Sequence, residues 1–284
     1  MRLRAISGRK TANAASALAG PLPLPMNETS RRDSTAHSVE RAFAILDQLR
    51  DSAGAMSVSH LARSTELSTT TVHRLLATLR KCEAVDQEPE SRKYRLSLKM
   101  LLYGKAALDR YEWRTQVHTA LGELARNVGE TAFMGTLDHF ELVYIDHVDS
   151  LDHELRISPQ IGRRQDAHTT AMGKVLLAHH KRDAVERYLL ETPLPRRTRY
   201  SLTDPQVLRN ELDKVRAAGY ATDQQESEIG ISCVAVPVYR ADGSVMVAIS
   251  VSGPNERLQL MGLETTLKDM VKATASRISE QLAF

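Results

Sequence analysis

The sequence predicts an α+β protein: a small helical front, a short connecting helix, and a larger rear in which helices and strands interleave. Three observations carry this. The chain has 284 residues, enough for two domains at roughly 100–200 residues each. Apolar residues recur with a helical period through much of 38–110. From Tyr111 onward, helical stretches alternate with short β-branched runs, without regular βαβ repetition, which favours a largely antiparallel sheet. Composition narrows the class. Hydrophobic residues make up 42% and charged residues 26%, ordinary for a globular chain, and aromatics only 5%, so the cores must be aliphatic. No run of about 18 apolar residues is present to span a membrane. Cys82 and Cys233 are too few for a disulfide framework and lack zinc-ligand spacing, which fits a reducing cytoplasm.

Residues 1–37 read as a disordered basic tail. Ala, Ser, Pro and Arg alternate there without a period, and the prolines between Gly20 and Pro25 cannot continue a helix. This tail carries a net charge of +4, residues 38–110 carry +3 and the remainder −4. A basic front on an acidic rear assigns any nucleic acid to the front third.

Residues 38–97 spell three helices and a hairpin. Val39, Ala42, Phe43, Leu46 and Leu49 fall on one face of a helix ending near Asp51. Ser57 suits the N-cap of a short second helix burying Val58, Leu61 and Ala62, and Ser68 the N-cap of a third. In that third helix Val72, Leu75, Leu76 and Leu79 form the buried stripe. Thr70, Arg74, Ala77 and Lys81 lie opposite, flanked by Thr71, His73 and Thr78. Two short helices about a brief turn, the second showing hydroxyls and bases outward, suit the major groove. Arg donates two hydrogen bonds to a guanine edge, and Thr offers a hydroxyl or a methyl. Residues 84–86 and 94–96 then read as strands around a polar loop with Arg92 and Lys93 near its tip, a wing able to reach phosphates. The whole is a winged helix-turn-helix, and Ser68, Thr70, Thr71, His73, Arg74, Thr78, Lys81, Arg92 and Lys93 are its candidate DNA contacts. Leu98, Leu101, Leu102 and Lys105 to Leu108 read as a linker helix over 98–110, suited to a dimer contact.

The rear, 111–284, predicts helices at 117–128, 171–181, 205–217 and within 258–282. Strands are expected at 131–137, 141–148, 155–158, 220–226, 233–239 and 245–252. Asp242-Gly243 suits a two-residue hairpin turn with Ala241 opposite Ser244. That register pairs Val234 with Val251, Val236 with Ile249 and Val238 with Val247, one apolar face. On the other face Cys233 meets Ser252 and Ala235 meets Ser250, small groups that leave room for a ligand.

Several segments, in this order, resemble the IclR family of bacterial transcriptional regulators. They are Leu61-Ala62-Arg63, Thr71-Val72-His73-Arg74-Leu75-Leu76-Ala77-Thr78-Leu79, Tyr94-Arg95-Leu96, His168-Thr169-Thr170-Ala171-Met172-Gly173-Lys174, Gly219-Tyr220-Ala221 and Ser250-Val251-Ser252-Gly253-Pro254. The resemblance implies a C-terminal α/β GAF-like effector-binding domain and a homodimer on operator DNA, often paired into a homotetramer. It also implies an effector site lined by the positions of Asp223, Cys233, Ser250 and Ser252, by backbone amides of Ala171 and Met172, and by an apolar wall at Ile157 and Ile231. Those amides open a helix, where free N–H groups favour an anion. A small organic or aromatic acid fits this chemistry, although a buried Asp223 would repel it unless protonated or facing a ligand hydroxyl. Two further readings of the rear are an assembly-only domain and an enzyme with Cys233 as nucleophile and His168 as base. The resemblance implies sensing, not catalysis. His139, His147, His153, His168, His179 and His180 lack metal-ligand spacing, and no cofactor is expected.

Overall fold

In the computed structural model, the described residues are 33–109, 111–150 and 161–282. They form two compact units, the chain passing from one to the other between Gly104 and Lys105.

The front unit begins with helix α1 (Asp33–Asp51), so its last residues before Ser38 are helical where the sequence suggested tail. Helices α2 (Val58–Ser64) and α3 (Thr69–Lys81) follow, each opened by the serine expected. Ser57 Oγ accepts the His60 amide and Ser68 Oγ accepts the Thr71 amide, both at 3.2 Å. Strands β1 (Val85–Gln87) and β2 (Tyr94–Leu96) pair antiparallel, with Val85 opposite Leu96. An isolated bridge between Met56 and Tyr94 ties this hairpin to the segment before α2. The core is Ile45, Leu46, Leu49, Leu61, Val72, Leu75, Leu76, Val85 and Tyr94. The stripe expected on α1 is wrong at two positions: Val39 and Phe43 are 56% and 59% exposed, and Ile45 is buried in their place. Helix α1 gives Ala42, Ile45, Leu46 and Leu49 to the core, so its apolar face turns with Ile45 and leaves Val39 and Phe43 outside it. Helix α4 (Met100–Leu108) is shorter than the 98–110 expected, and none of its side chains is buried.

The rear unit is built on one six-stranded antiparallel sheet. Its strands are β3 (Thr131–Asp138), β4 (Glu141–Val148), β5 (Arg164–Asp166), β6 (Ala221–Gln224), β7 (Ile231–Tyr239) and β8 (Val245–Pro254), in the order β5-β4-β3-β8-β7-β6. Helices α5 (Arg114–Val128) and α10 (Lys268–Gln281) cover one face, packing on Val234, Val236, Val238, Val247, Ile249 and Val251. Helix α6 (Ala171–His179) covers the other, together with α7 (Arg182–Glu191) and α8 (Pro205–Ala218). The final helical stretch is broken into α9 (Asn255–Leu260), a π-turn over Leu263–Leu267, and α10.

The β7–β8 register is the one expected, from Ile231 opposite Pro254 to Val238 opposite Val247. The turn is not. Tyr239 pairs with Val245 and the Arg240 amide donates to Ser244 O at 2.8 Å, so the loop is Ala241-Asp242-Gly243. The Gly243 amide donates back to Arg240 O at 2.9 Å, and Gly243 takes φ 78°, a turn followed by a left-handed residue. A bulge between Val238 and Tyr239 absorbs the extra residue, which is why the deeper pairs are unaffected. The strand expected at 155–158 lies outside the described residues. Strand β5, helix α7 and a 3-10 turn over Ala167–Thr169 were not anticipated.

Candidate nucleic-acid interface and effector site

On α3 the buried Val72, Leu75 and Leu76 turn Thr70, His73, Arg74, Thr78 and Lys81 to the surface, all exposed. Ser68 and Thr71 are otherwise occupied: Ser68 Oγ caps the helix and lies 2.8 Å from Thr71 Oγ1. Thr78 donates its hydroxyl to Arg74 O at 3.2 Å, leaving its oxygen to accept. Arg80 is held by Gln87 of the wing at 3.0 Å, whereas the Arg74 guanidinium has no hydrogen-bond or ion-pair partner among the described residues. Arg74 is therefore a fork of donors standing free in the middle of the outward face. In the wing loop Arg92 adopts φ 57°, its amide donating to Glu88 O at 3.0 Å and its carbonyl accepting Gln87 Nε2 at 2.9 Å. That holds the tip while the Arg92 and Lys93 side chains remain exposed. At the other end of α3, Lys99 Nζ donates to Cys82 O at 3.0 Å and Glu83 Oε2 at 3.1 Å, a cation on the negative end of the helix.

In the rear unit, cross-strand pairing lays two rows across the α6 face. Ala221, Ala235, Ser250 and Phe133 stand side by side in one; Asp223, Cys233, Ser252 and Thr131 form the next. Sequence pairing located only the β7–β8 half of each row, because Thr131 and Phe133 join from a strand about 120 residues away, and Asp223 stands on an expected strand whose partner and register no turn signal fixed. Ser250, Ser252, Asp223, Ala171 and Met172 are buried, while Cys233 and Ile231 are partly exposed. Ile157 lies outside the described residues. Ser252 Oγ donates to Cys233 Sγ at 2.8 Å. Burial and the nearby Asp223 push the Cys233 thiol far up.

Ala171 and Met172 are the first two residues of α6, whose N-cap Thr170 accepts the Gly173 amide at 3.1 Å. Gly173 has no substitute here, since any Cβ would overlap the Ala167 backbone in the turn packed against it. One turn on, Lys174 is 1% exposed and donates to Glu226 Oε1 at 2.5 Å. Asp223 is fully buried and already bonded within its own loop. Its Oδ1 accepts the amides of Glu226 (2.6 Å) and Ser227 (3.4 Å), and its Oδ2 accepts the Ser227 hydroxyl (2.5 Å). Burial nevertheless raises its carboxyl above the ordinary range and pushes Glu226 up to about 7. Thr198 and Ser201 fasten the same loop through Gln225 O and Glu226 O, at 2.6 and 2.7 Å. Lys174, Glu226 and Ser227 escaped sequence reasoning. The apolar-looking Ala171–Ala178 run gave no sign that its lysine is buried, nor that its partner lies 52 positions away.

The nucleophile alternative fails on geometry. His168 Nε2 faces Pro195 O at 3.1 Å and Nδ1 faces the Tyr188 hydroxyl at 3.4 Å, not Cys233. No helix of the described residues is long and apolar enough to cross a membrane.

Two family models match the chain: "Bacterial transcriptional regulator IclR C-terminal" over residues 105–280 and "IclR helix-turn-helix domain" over 38–89. The HTH-type transcriptional regulator KdgR of Escherichia coli is 34% identical over 257 residues, covering 90% of this chain and 97% of that relative. The Thermotoga maritima IclR crystal structure is 30% identical, with a TM-score of 0.68, covering 88% of this chain and 100% of that one. An IclR homologue from Microbacterium hydrocarbonoxydans, complexed with 4-hydroxybenzoate, shares the fold at a TM-score of 0.71 and 24% identity, covering 86% and 98%. This chain belongs to the IclR family of bacterial transcriptional regulators, which join a helix-turn-helix DNA-binding domain to a C-terminal effector domain and are not enzymes.

Proposed function

We propose that this protein is a cytoplasmic regulator that binds operator DNA as a homodimer and adjusts its grip when a small organic acid enters the rear unit. The free guanidinium of Arg74, centred on the exposed face of a capped helix, carries the DNA half of this reading. Thr70 and Arg74 read base edges, His73, Thr78 and Lys81 flank them, and Arg92 and Lys93 reach phosphates from the wing. Ser68 and Thr71 set the helix terminus that enters the groove. A single recognition helix spans few base pairs, so a symmetric pair on half-sites about 34 Å apart supplies the missing specificity. The exposed apolar side chains of the front unit suit that pairing: Val39 and Phe43 on α1, and Leu98, Leu101, Leu102 and Tyr103 on and before α4. Pairing of two such dimers into a tetramer is the further assembly step.

The acid site is the polar row Asp223–Cys233–Ser252 with Ser250 beside it, facing the Ala171 and Met172 amides, with Ile231 in its apolar wall. Ligand there favours one placement of the two reading heads over another, through the linker helix. The test is a thermal-shift panel on the full chain with glycolate, pyruvate, gluconate, benzoate and 4-hydroxybenzoate. Binding to the folded state alone must raise Tm. A rise that disappears in Ser250→Val, with DNA binding retained, supports the site. An unchanged ligand-induced shift in that variant removes the hairpin face from it.

A further inference from the structure

Three ionisable groups are buried together against the first two turns of α6. The Lys174 ammonium sits on one oxygen of Glu226, and the other oxygen of Glu226 is buried with no hydrogen-bond partner. Asp223 lies beside them, fully buried, joined to Glu226 through the backbone amide it accepts. One ammonium against two carboxyls leaves this cluster at −1 when all are ionised.

The groups facing it from other elements do not correct the balance. Cys233 on β7 and Tyr144 on β4 are pushed up by burial, so both stay neutral. His168, in the turn before α6, is pushed down by burial, which favours its neutral form too. Arg163, near Tyr144, is exposed to water that screens it. Asp166, near His168, is matched by Arg197. On the side where Glu226 lines a cavity with Glu211, Lys214 and Glu264, Lys214 is matched by Glu211 and Glu264 accepts a hydrogen bond from Gln224. A carboxylate arriving at the Ala171 and Met172 amides therefore meets an excess negative charge in a low-dielectric surrounding.

We propose that the rear unit takes up its acid ligand together with one proton, held on the Asp223–Glu226 carboxyl pair, so that the one remaining carboxylate balances Lys174. The proton comes from solvent onto a carboxylate lone pair, and the Glu226 oxygen without a partner is a ready place for it. The elevated carboxyls make this exchange available near neutral pH. The inference rests on the reading of this face as an acid site. It adds that the regulator senses acid and pH as one product, not separately.

The experiment is calorimetric titration of the full chain with whichever acid of the panel gives the largest thermal shift. It is done near pH 6 and near pH 8, each in two buffers of different ionisation enthalpy. The expected result is almost no proton uptake near pH 6, uptake approaching one proton per site near pH 8, and affinity weakening by up to about tenfold per pH unit above 7. Glu226→Gln should remove both the uptake and the pH dependence, and Asp223→Asn serves if that variant does not fold. Tight binding with no proton uptake at either pH overturns the proposal and leaves the acid site standing. If no acid binds near pH 6, the acid site itself is overturned, and the cluster is then judged without ligand. Wild-type Tm should fall relative to Glu226→Gln as pH rises from 5 to 8, because a carboxyl held above its unfolded value loses stability as it ionises. Parallel curves overturn the titration of the pair.

Discussion

The two units of this protein keep their polar chemistry in opposite places. In the front unit the proposed DNA contacts stand on the surface, and Ser97 is the only buried polar side chain among its described residues. In the rear unit the proposed contacts are inside: Asp223, Ser250 and Ser252 are buried, as are Lys174 and Glu226 beside them. The difference fits the two ligands proposed. A duplex is too large to enclose and is met by free donors on a convex helix, with the core kept apolar beneath. A small acid is enclosed, so its polar partners must be desolvated and held by one another when it is absent. The same change of residue should therefore damage function in one unit and folding in the other.

The sharpest form of that contrast removes one cation from each. Lys174→Met leaves Glu226 buried and unpaired, and should cost about 3–5 kcal/mol of unfolding free energy by denaturant titration near pH 8. The cost should shrink near pH 6, where Glu226 without its partner is protonated and no charge is stranded. Arg74→Ala should leave stability within about 0.5 kcal/mol and weaken operator binding by about 1–3 kcal/mol, measured by gel retardation. Equal stability losses in the two variants would break the comparison.

Smaller effects refine it. Ser68→Ala removes an N-cap and should cost the front unit about 1 kcal/mol of stability by thermal melting, because this candidate contact is partly a structural one. Lys93→Ala should change stability little and weaken binding evenly across DNA sequences, lowering the slope of log affinity against log salt by about one. A change in base preference in that variant would move the wing from phosphate contact to readout.

Legibility in the sequence divides along the same line. Surface chemistry on a regular helix is written in local spacing, so the caps at Ser57 and Ser68 and the outward face of α3 could be read directly. The β7–β8 register was equally readable, since alternation of valines fixes which residues share a face. Errors arose where packing is not local. Val39 and Phe43 have the right period but fall outside the face that Ala42, Ile45, Leu46 and Leu49 turn to the core, and the Asp242-Gly243 turn gained a residue whose effect a bulge hides. The buried cluster was illegible for the same reason. Lys174 sits in a helix that reads as apolar, and what makes it tolerable there is a glutamate on a loop held by Asp223, Thr198 and Ser201.

One measurement tests directly which surface of this chain touches DNA: footprinting of the full chain, wild type and Arg74→Ala, on the fragment upstream of its own gene. The account predicts protection of two half-sites about one helical turn apart by the wild type, lost in a variant that melts at the same temperature. Normal protection by Arg74→Ala, or no preference for that fragment over random DNA at any ionic strength, would contradict it.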